Sequence, residues 1–131
     1  MNDSLARRWL NKAAEDLIVA ELVFREQHLS HACFLSQQTI EKSLKAYLIA
    51  HTGQHPRTHK LVDLLQLCIA QETQFLRFQA DCVRVDQFYI PTRYPDGIPG
   101  GLPDGQPSLK QAKSAIDAAK SIYQYTRELL T

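Results

Sequence analysis

The stretch QQTIEKSLKAY sets Gln38, Glu41 and Lys45 three and four residues apart, so on a helix they share one face. Glu41 precedes Lys45 by four, the favourable order for an ion pair. Further along, FYIPTRYPDG carries Arg93 next to Tyr94. A guanidinium offers a planar fork suited to phosphate, and a tyrosine ring offers a stacking face for a base. These five residues form the candidate nucleotide- or RNA-binding set. In it Glu41 orients Arg93, Lys45 leaves its ammonium to a phosphate, and Arg93 and Tyr94 lie over the polar face of the helix. The motive is that a Glu and a Lys close to a core face need partners, because unpaired buried charge is costly. A plainer reading stands beside it. The helix residues are then a solvated stripe worth a few tenths of a kcal/mol, and Arg93 pins the loop by pairing with Glu41 or Asp96 while Tyr94 covers apolar surface.

Other chemical constellations are weaker. His51, His55 and His59 are spaced by four, as metal ligands on a helix would be. Gly53 and Pro56 interrupt them, so they share no continuous helical face. His59 is expected to satisfy backbone groups at the start of a helix, and His51 and His55 to face solvent. Cys33, Cys68 and Cys82 form no CxxC pair and fall among apolar neighbours, which reads as buried thiols in a reducing compartment. The glycines of DGIPGGLPDG are punctuated by prolines, which lack the N–H donors a phosphate cradle requires. No cofactor or metal is expected.

The elements that would position these residues are helical. Leu5, Trp9, Ala13, Leu17, Ala20 and Phe24 step by three or four, marking a helix capped by Asp3 or Ser4 and running to about Glu26. Ser30 is expected to cap a second, with Cys33, Ile40, Leu44 and Tyr47 inward and Gly53 as its left-handed stop. Thr58 caps a short third with Leu61, Leu64, Leu65 and Cys68 inward. Thr73 caps a fourth through Phe75, Phe78, Cys82, Val85 and Tyr89, and Pro91 stops it. Ser108 caps a fifth, whose face is Leu109, Ala112, Ile116, Ala119, Tyr123, Thr126 and Leu130. Between these last two helices lie five of the six prolines and four of the five glycines. The first part of this segment, YIPTRYP, reads as anchored, and the rest as a mobile tip. The fold class is all-α, an up-and-down bundle of four long helices and one short one, in a single domain over residues 1–131.

Fifteen basic residues against fourteen acidic ones leave a net charge of +1, which argues against a general polyanion binder but permits a local basic pocket. No apolar run approaches a membrane span and the N-terminus has no signal core, so a cytoplasmic protein is expected.

Four segments in order, WLNKAAEDLIVAELVF, FLSQQTIEKSLKAYLIAHTG, RTHKLVDLL and FYIPTRYPDG, resemble the HEPN domain family over nearly the whole chain. Its QQxxEKxLKA signature falls on Gln37, Gln38, Glu41, Lys42, Leu44, Lys45 and Ala46. Its THxL signature falls on Thr58, His59 and Leu61, and RYP on Arg93, Tyr94 and Pro95. The resemblance implies a helical bundle, frequent homodimerisation, and RNA cleavage or nucleotide binding. It also implies a partnership with a minimal nucleotidyltransferase, which in some pairs is a toxin–antitoxin relation. Ribonuclease branches carry an Arg followed by His after four to six residues, late in the bundle. Here no His follows Arg77, Arg84 or Arg93. REQHLSH fits the spacing with Arg25 and His31, but at the first interhelical turn. With eight Arg and five His in the chain, roughly one such match arises by chance.

The expected function is therefore a binding module for nucleotide or RNA, partnered by a nucleotidyltransferase. Two alternatives are kept: a toxin-like, metal-independent endoribonuclease and a ligand-free dimerisation domain. The expected homodimer rests on Leu10, Ile18, Leu22 and Val23, apolar residues off or beside the main stripe of the first helix.

Overall fold

The computed structural model describes residues 3–89 and 106–131. Among them there is no strand, and five α-helices follow one another: α1 (Asp3–Arg25), α2 (Leu29–Thr52), α3 (Leu61–Gln71), α4 (Gln79–Asp86) and α5 (Leu109–Leu130). A 3-10 helix, Thr73–Phe78, leads directly into α4. No helix among the described residues is long and apolar enough to cross a membrane.

The bundle is organised around α2, which packs against α1 on one side and α5 on the other. Small residues allow that approach. Ala6, Ala13 and Ala20 recur every seventh residue of α1 and are buried, as are Ala112, Ala115, Ala118 and Ala119 of α5. Larger side chains fill the other flank. Phe75 packs its ring 4.8 Å from Tyr47 and 5.1 Å from Tyr125, closing the 3-10 helix onto α2 and α5.

α1 turns back into α2 through Glu26–His28, with Gln27 in the left-handed region at φ 68°. The C-terminal end of α2 is closed by Gly53 at φ 72°, whose N–H donates to the Ile49 carbonyl, the left-handed stop expected of that glycine. The chain then runs without helix from Gly53 to Lys60, back along α2 as far as Glu41, which His59 meets. Twelve helical residues separate positions 41 and 53, about 18 Å of axis. Six extended residues at about 3.3 Å each suffice to retrace them. One descending arm of the up-and-down bundle is thus an extended segment.

Several helix starts differ from the sequence expectation. Asp3 and Ser4 lie inside α1. α2 begins one residue before Ser30, after His28, with no side-chain cap; the Ser30 hydroxyl instead donates to Gln106 Oε1 at 2.6 Å. α3 begins at Leu61. Thr58 Oγ1 accepts only the Lys60 N–H, while the N–H groups of Leu61 and Val62 donate to the Asp86 carboxylate at 2.7 and 3.1 Å. Glu72, rather than Thr73, caps the 3-10 helix by accepting the Gln74 N–H. Ser108 caps α5 as expected, in a reciprocal pair with Gln111. α4 ends at Asp86, and Pro91 lies outside the described residues. The inward sets expected for α3 and α4 are buried, apart from half-buried Tyr89, whereas Leu109, expected inward on α5, is exposed.

Candidate functional site

α2 buries 15 of its 24 residues, including Gln37, Glu41 and Lys45. Most of α2 is enclosed by its neighbours, so Gln37, Glu41 and Lys45 of the signature must find their partners inside the protein. Glu41 is the hub. Its Oε2 accepts from Lys45 Nζ at 3.0 Å and lies 3.0 Å from His59 Nδ1. Its Oε1 faces the side-chain amides of Gln37 and Gln38, at 3.5 and 3.4 Å. Two carboxylate oxygens offer about four acceptor sites, and four side chains take them.

The partners are held in turn. Gln38 donates to Gln37 Oε1 at 2.7 Å, and Gln37 donates to the His59 carbonyl at 3.1 Å, fastening the extended segment to α2. Lys45 lies over Trp9, its ammonium 5.6 Å from the ring centroid. Because a carboxylate only accepts, Nδ1 is the His59 nitrogen that donates to Glu41. Its side chain is 58% exposed while that of Glu41 is 4% exposed. The His59 ring stacks on Tyr89 with centroids 5.4 Å apart, and Tyr89 also meets Phe34 at 6.1 Å. The hub is therefore buried and polar, and one imidazole on an aromatic platform connects it to solvent.

Gln38, Glu41 and Lys45 do share one cluster, as their spacing implies. The expectation that Lys45 keeps its ammonium for a phosphate is corrected: Lys45 is 3% exposed and engaged by Glu41 and Trp9. The solvated-stripe reading fails for the same reason. Arg93 and Tyr94, with Asp96, lie outside the described residues. The sequence expectation gives His59 only local backbone contacts, and the structure gives it the central carboxylate instead. The signal is the THxL signature, which reads as a helix start and not as a partner for the Glu of the other signature. His51 and His55 are exposed as expected, with rings against Tyr47 and Trp9. Arg25 ends α1 and His31 sits in the first turn of α2, both exposed, with the His31 ring against His28.

Burial governs the ionisable groups nearby. It pushes the Cys33 and Cys82 thiols up to about 12, and Cys68 higher still. It also raises the Asp86 carboxyl, outweighing the two backbone N–H donors that favour its anion. Among the described residues no cluster of three His, Cys, Asp or Glu side chains is arranged to hold a metal.

An all-helical bundle whose central helix carries a largely buried Gln–Gln–Glu–Lys cluster completed by a histidine defines a class of domain rather than a reaction. The chain belongs to the HEPN domain family, whose profile matches residues 6–129. It is similar to the crystal structure of TT1696 from Thermus thermophilus, with 31% identity, a TM-score of 0.79 and 98% of each chain covered. It is also similar to ST0689, an archaeal HEPN homologue, at 28% identity and a TM-score of 0.74, covering 96% of this chain and 98% of that one. No curated protein matches it significantly.

Proposed function

We propose that this HEPN domain is a binding module for a nucleotide or single-stranded RNA, which it takes on the His59–Tyr89 platform. The observation that carries the reading is a stacked, partly exposed imidazole–phenol pair fixed to a buried carboxylate, beside a cationic segment. Arg57 and Lys60 flank His59, are exposed, and enter no ion pair among the described residues. Rings bind any base through their faces, worth about 1–3 kcal/mol per base, and the cations track the phosphates. Glu41 holds His59 in place, so the platform needs no ordering when the ligand arrives. Arg93 and Tyr94, which follow Tyr89 within a few residues of sequence, add a second fork and ring to this reading.

Fluorescence anisotropy with a labelled hexauridylate tests it. Binding is expected to fall about tenfold or more in His59→Ala, consistent with the loss of one stacking contact, and to weaken steeply with salt. Arg57→Ala and Arg93→Ala should each reduce the salt dependence while leaving helicity intact. Parent-like affinity in all three variants would place the ligand elsewhere. The minimal nucleotidyltransferase partner belongs to the same proposal, and co-purification from the native host with identification of bound protein and nucleic acid is its test.

A second reading rests on the Glu41–His59 pair itself. An imidazole oriented through Nδ1 by a carboxylate and more than half exposed is suited to accept a proton as a general base. Here His59→Gln would abolish cleavage of a single-stranded RNA even at concentrations that saturate the weakened binding. No cleavage by the parent protein under any divalent-free condition eliminates this reading and leaves the first.

A further inference from the structure

The Glu41 hub faces two sides of the molecule. On one side His59 reaches Tyr89; on the other, Lys45 reaches Trp9. The links from Tyr89 through His59, Glu41 and Lys45 to Trp9 measure 5.4, 3.0, 3.0 and 5.6 Å. The extended segment 53–60 runs between the same two places, because His55 packs its ring 4.7 Å from that of Trp9 while His59 packs on Tyr89. Trp9 in turn walls an open groove of about 460 Å³ between α1 and α2, with Arg8, Lys12, Glu15, Asp16 and Lys42 around it. The carboxylates of this groove are already taken, Glu15 by Lys12 and Asp16 by Lys42. Exposed Arg8 has no carboxylate within ion-pair distance among the described residues. The groove thus combines an indole wall with a surplus cation, as the His59 platform combines rings with Arg57 and Lys60.

We infer that the Trp9 groove is a second base-binding subsite, so that the ligand is a single-stranded RNA laid along segment 53–60 rather than a mononucleotide. One base occupies the His59–Tyr89 platform. Another, a few nucleotides away, lies against Trp9 with its phosphate on Arg8, and His55 and Arg57 line the path between. This rests on the function proposed above and specifies its ligand.

Trp9 is the single tryptophan of the chain, so all tryptophan emission comes from the groove wall and its contacts with Lys45 and His55. Hexauridylate binding is followed in parallel by anisotropy of a labelled strand and by Trp9 emission with unlabelled strand. The expected result is saturable quenching of Trp9, reduced access of acrylamide to it, and an affinity about tenfold lower in Arg8→Ala, consistent with loss of one phosphate contact. UMP should leave Trp9 emission unchanged. Binding by anisotropy that depends on His59 but leaves Trp9 emission and the Arg8→Ala affinity unaltered overturns the second subsite and preserves the binding module. Equal quenching by UMP also overturns it. Absence of hexauridylate binding in the parent removes both.

Discussion

At the scale of single residues, the buried pair of Glu41 and Lys45 sets the sharpest expectation. Glu41→Ala leaves the Lys45 ammonium buried with only the Trp9 face for company. Losing one partner of a buried pair costs about 3–5 kcal/mol, which urea denaturation would measure. Removing both charges, as Glu41→Gln with Lys45→Met, should cost much less. If the single and double variants lose the same stability, the pair contributes nothing as a pair. Asp86 makes a second case, in which the sign is unusual for a helix cap. Its folded carboxyl lies above the ordinary Asp value of 3.8 because burial dominates. The folded state therefore holds this proton more tightly than the unfolded chain does. The stability that results is complete below 3.8 and is lost as pH rises through the raised value. Asp86→Asn keeps one acceptor for the α3 amides and does not titrate. The stability of the parent relative to this variant should consequently fall with rising pH across that window and then level off. A relative stability that climbs with pH would show the backbone donors outweighing burial. The three thiols follow the same logic of burial: none should react with a disulfide reagent at neutral pH until the protein unfolds, and then all three should.

At the scale of elements, the helix ends separate what sequence reveals from what it conceals. Gly53 and Ser108 act locally, through a positive φ and a reciprocal cap, and both are legible in the sequence. Gly53→Ala meets no atom within 4 Å, so its cost is backbone strain alone, about 1–2 kcal/mol. Ser108→Ala should cost about 1 kcal/mol, and thermal melts of the two variants check both values. The start of α3 is not legible, because its N–H groups are satisfied by Asp86, 25 residues away in sequence. A local reading hands that role to the nearest Ser or Thr, here Thr58. The candidate site divides in the same way. Helical spacing places Gln38, Glu41 and Lys45 together, but only the return of segment 53–60 along α2 brings His59 to them. That return depends on how far an extended chain reaches, which no residue pattern encodes. Burial of Lys45 is equally hidden, since the central position of α2 belongs to the packing of five helices.

At the scale of the whole molecule, α1 presents an apolar strip to solvent. Ile18 is 67% and Leu22 49% exposed, with Val19 beside them. The expectation from sequence included Leu10, which is buried in this fold, and Val23, which is half-buried. The remaining strip is the surface on which the homodimer is proposed. Sedimentation at tens of micromolar should give twice the chain mass, and Ile18→Glu with Leu22→Glu should return it to one chain without loss of helix. A parent protein that sediments as one chain removes the dimer.

The central position of α2 also determines how the molecule breathes. Gln37, Glu41 and Lys45 belong to a helix enclosed by neighbours, so their amides are released only when the bundle comes apart. Segment 53–60 has no helical ladder of its own and is secured to α2 mainly through Gln37 and Glu41. It can peel away, taking His59 with it, while the middle of α2 stays packed. Amide exchange should therefore be slow and set by global unfolding in the middle of α2, yet fast from Gly53 to Lys60, two rates on opposite sides of one hydrogen-bonded carboxylate. A ligand on His59 would slow exchange in the segment and leave the middle of α2 as it was.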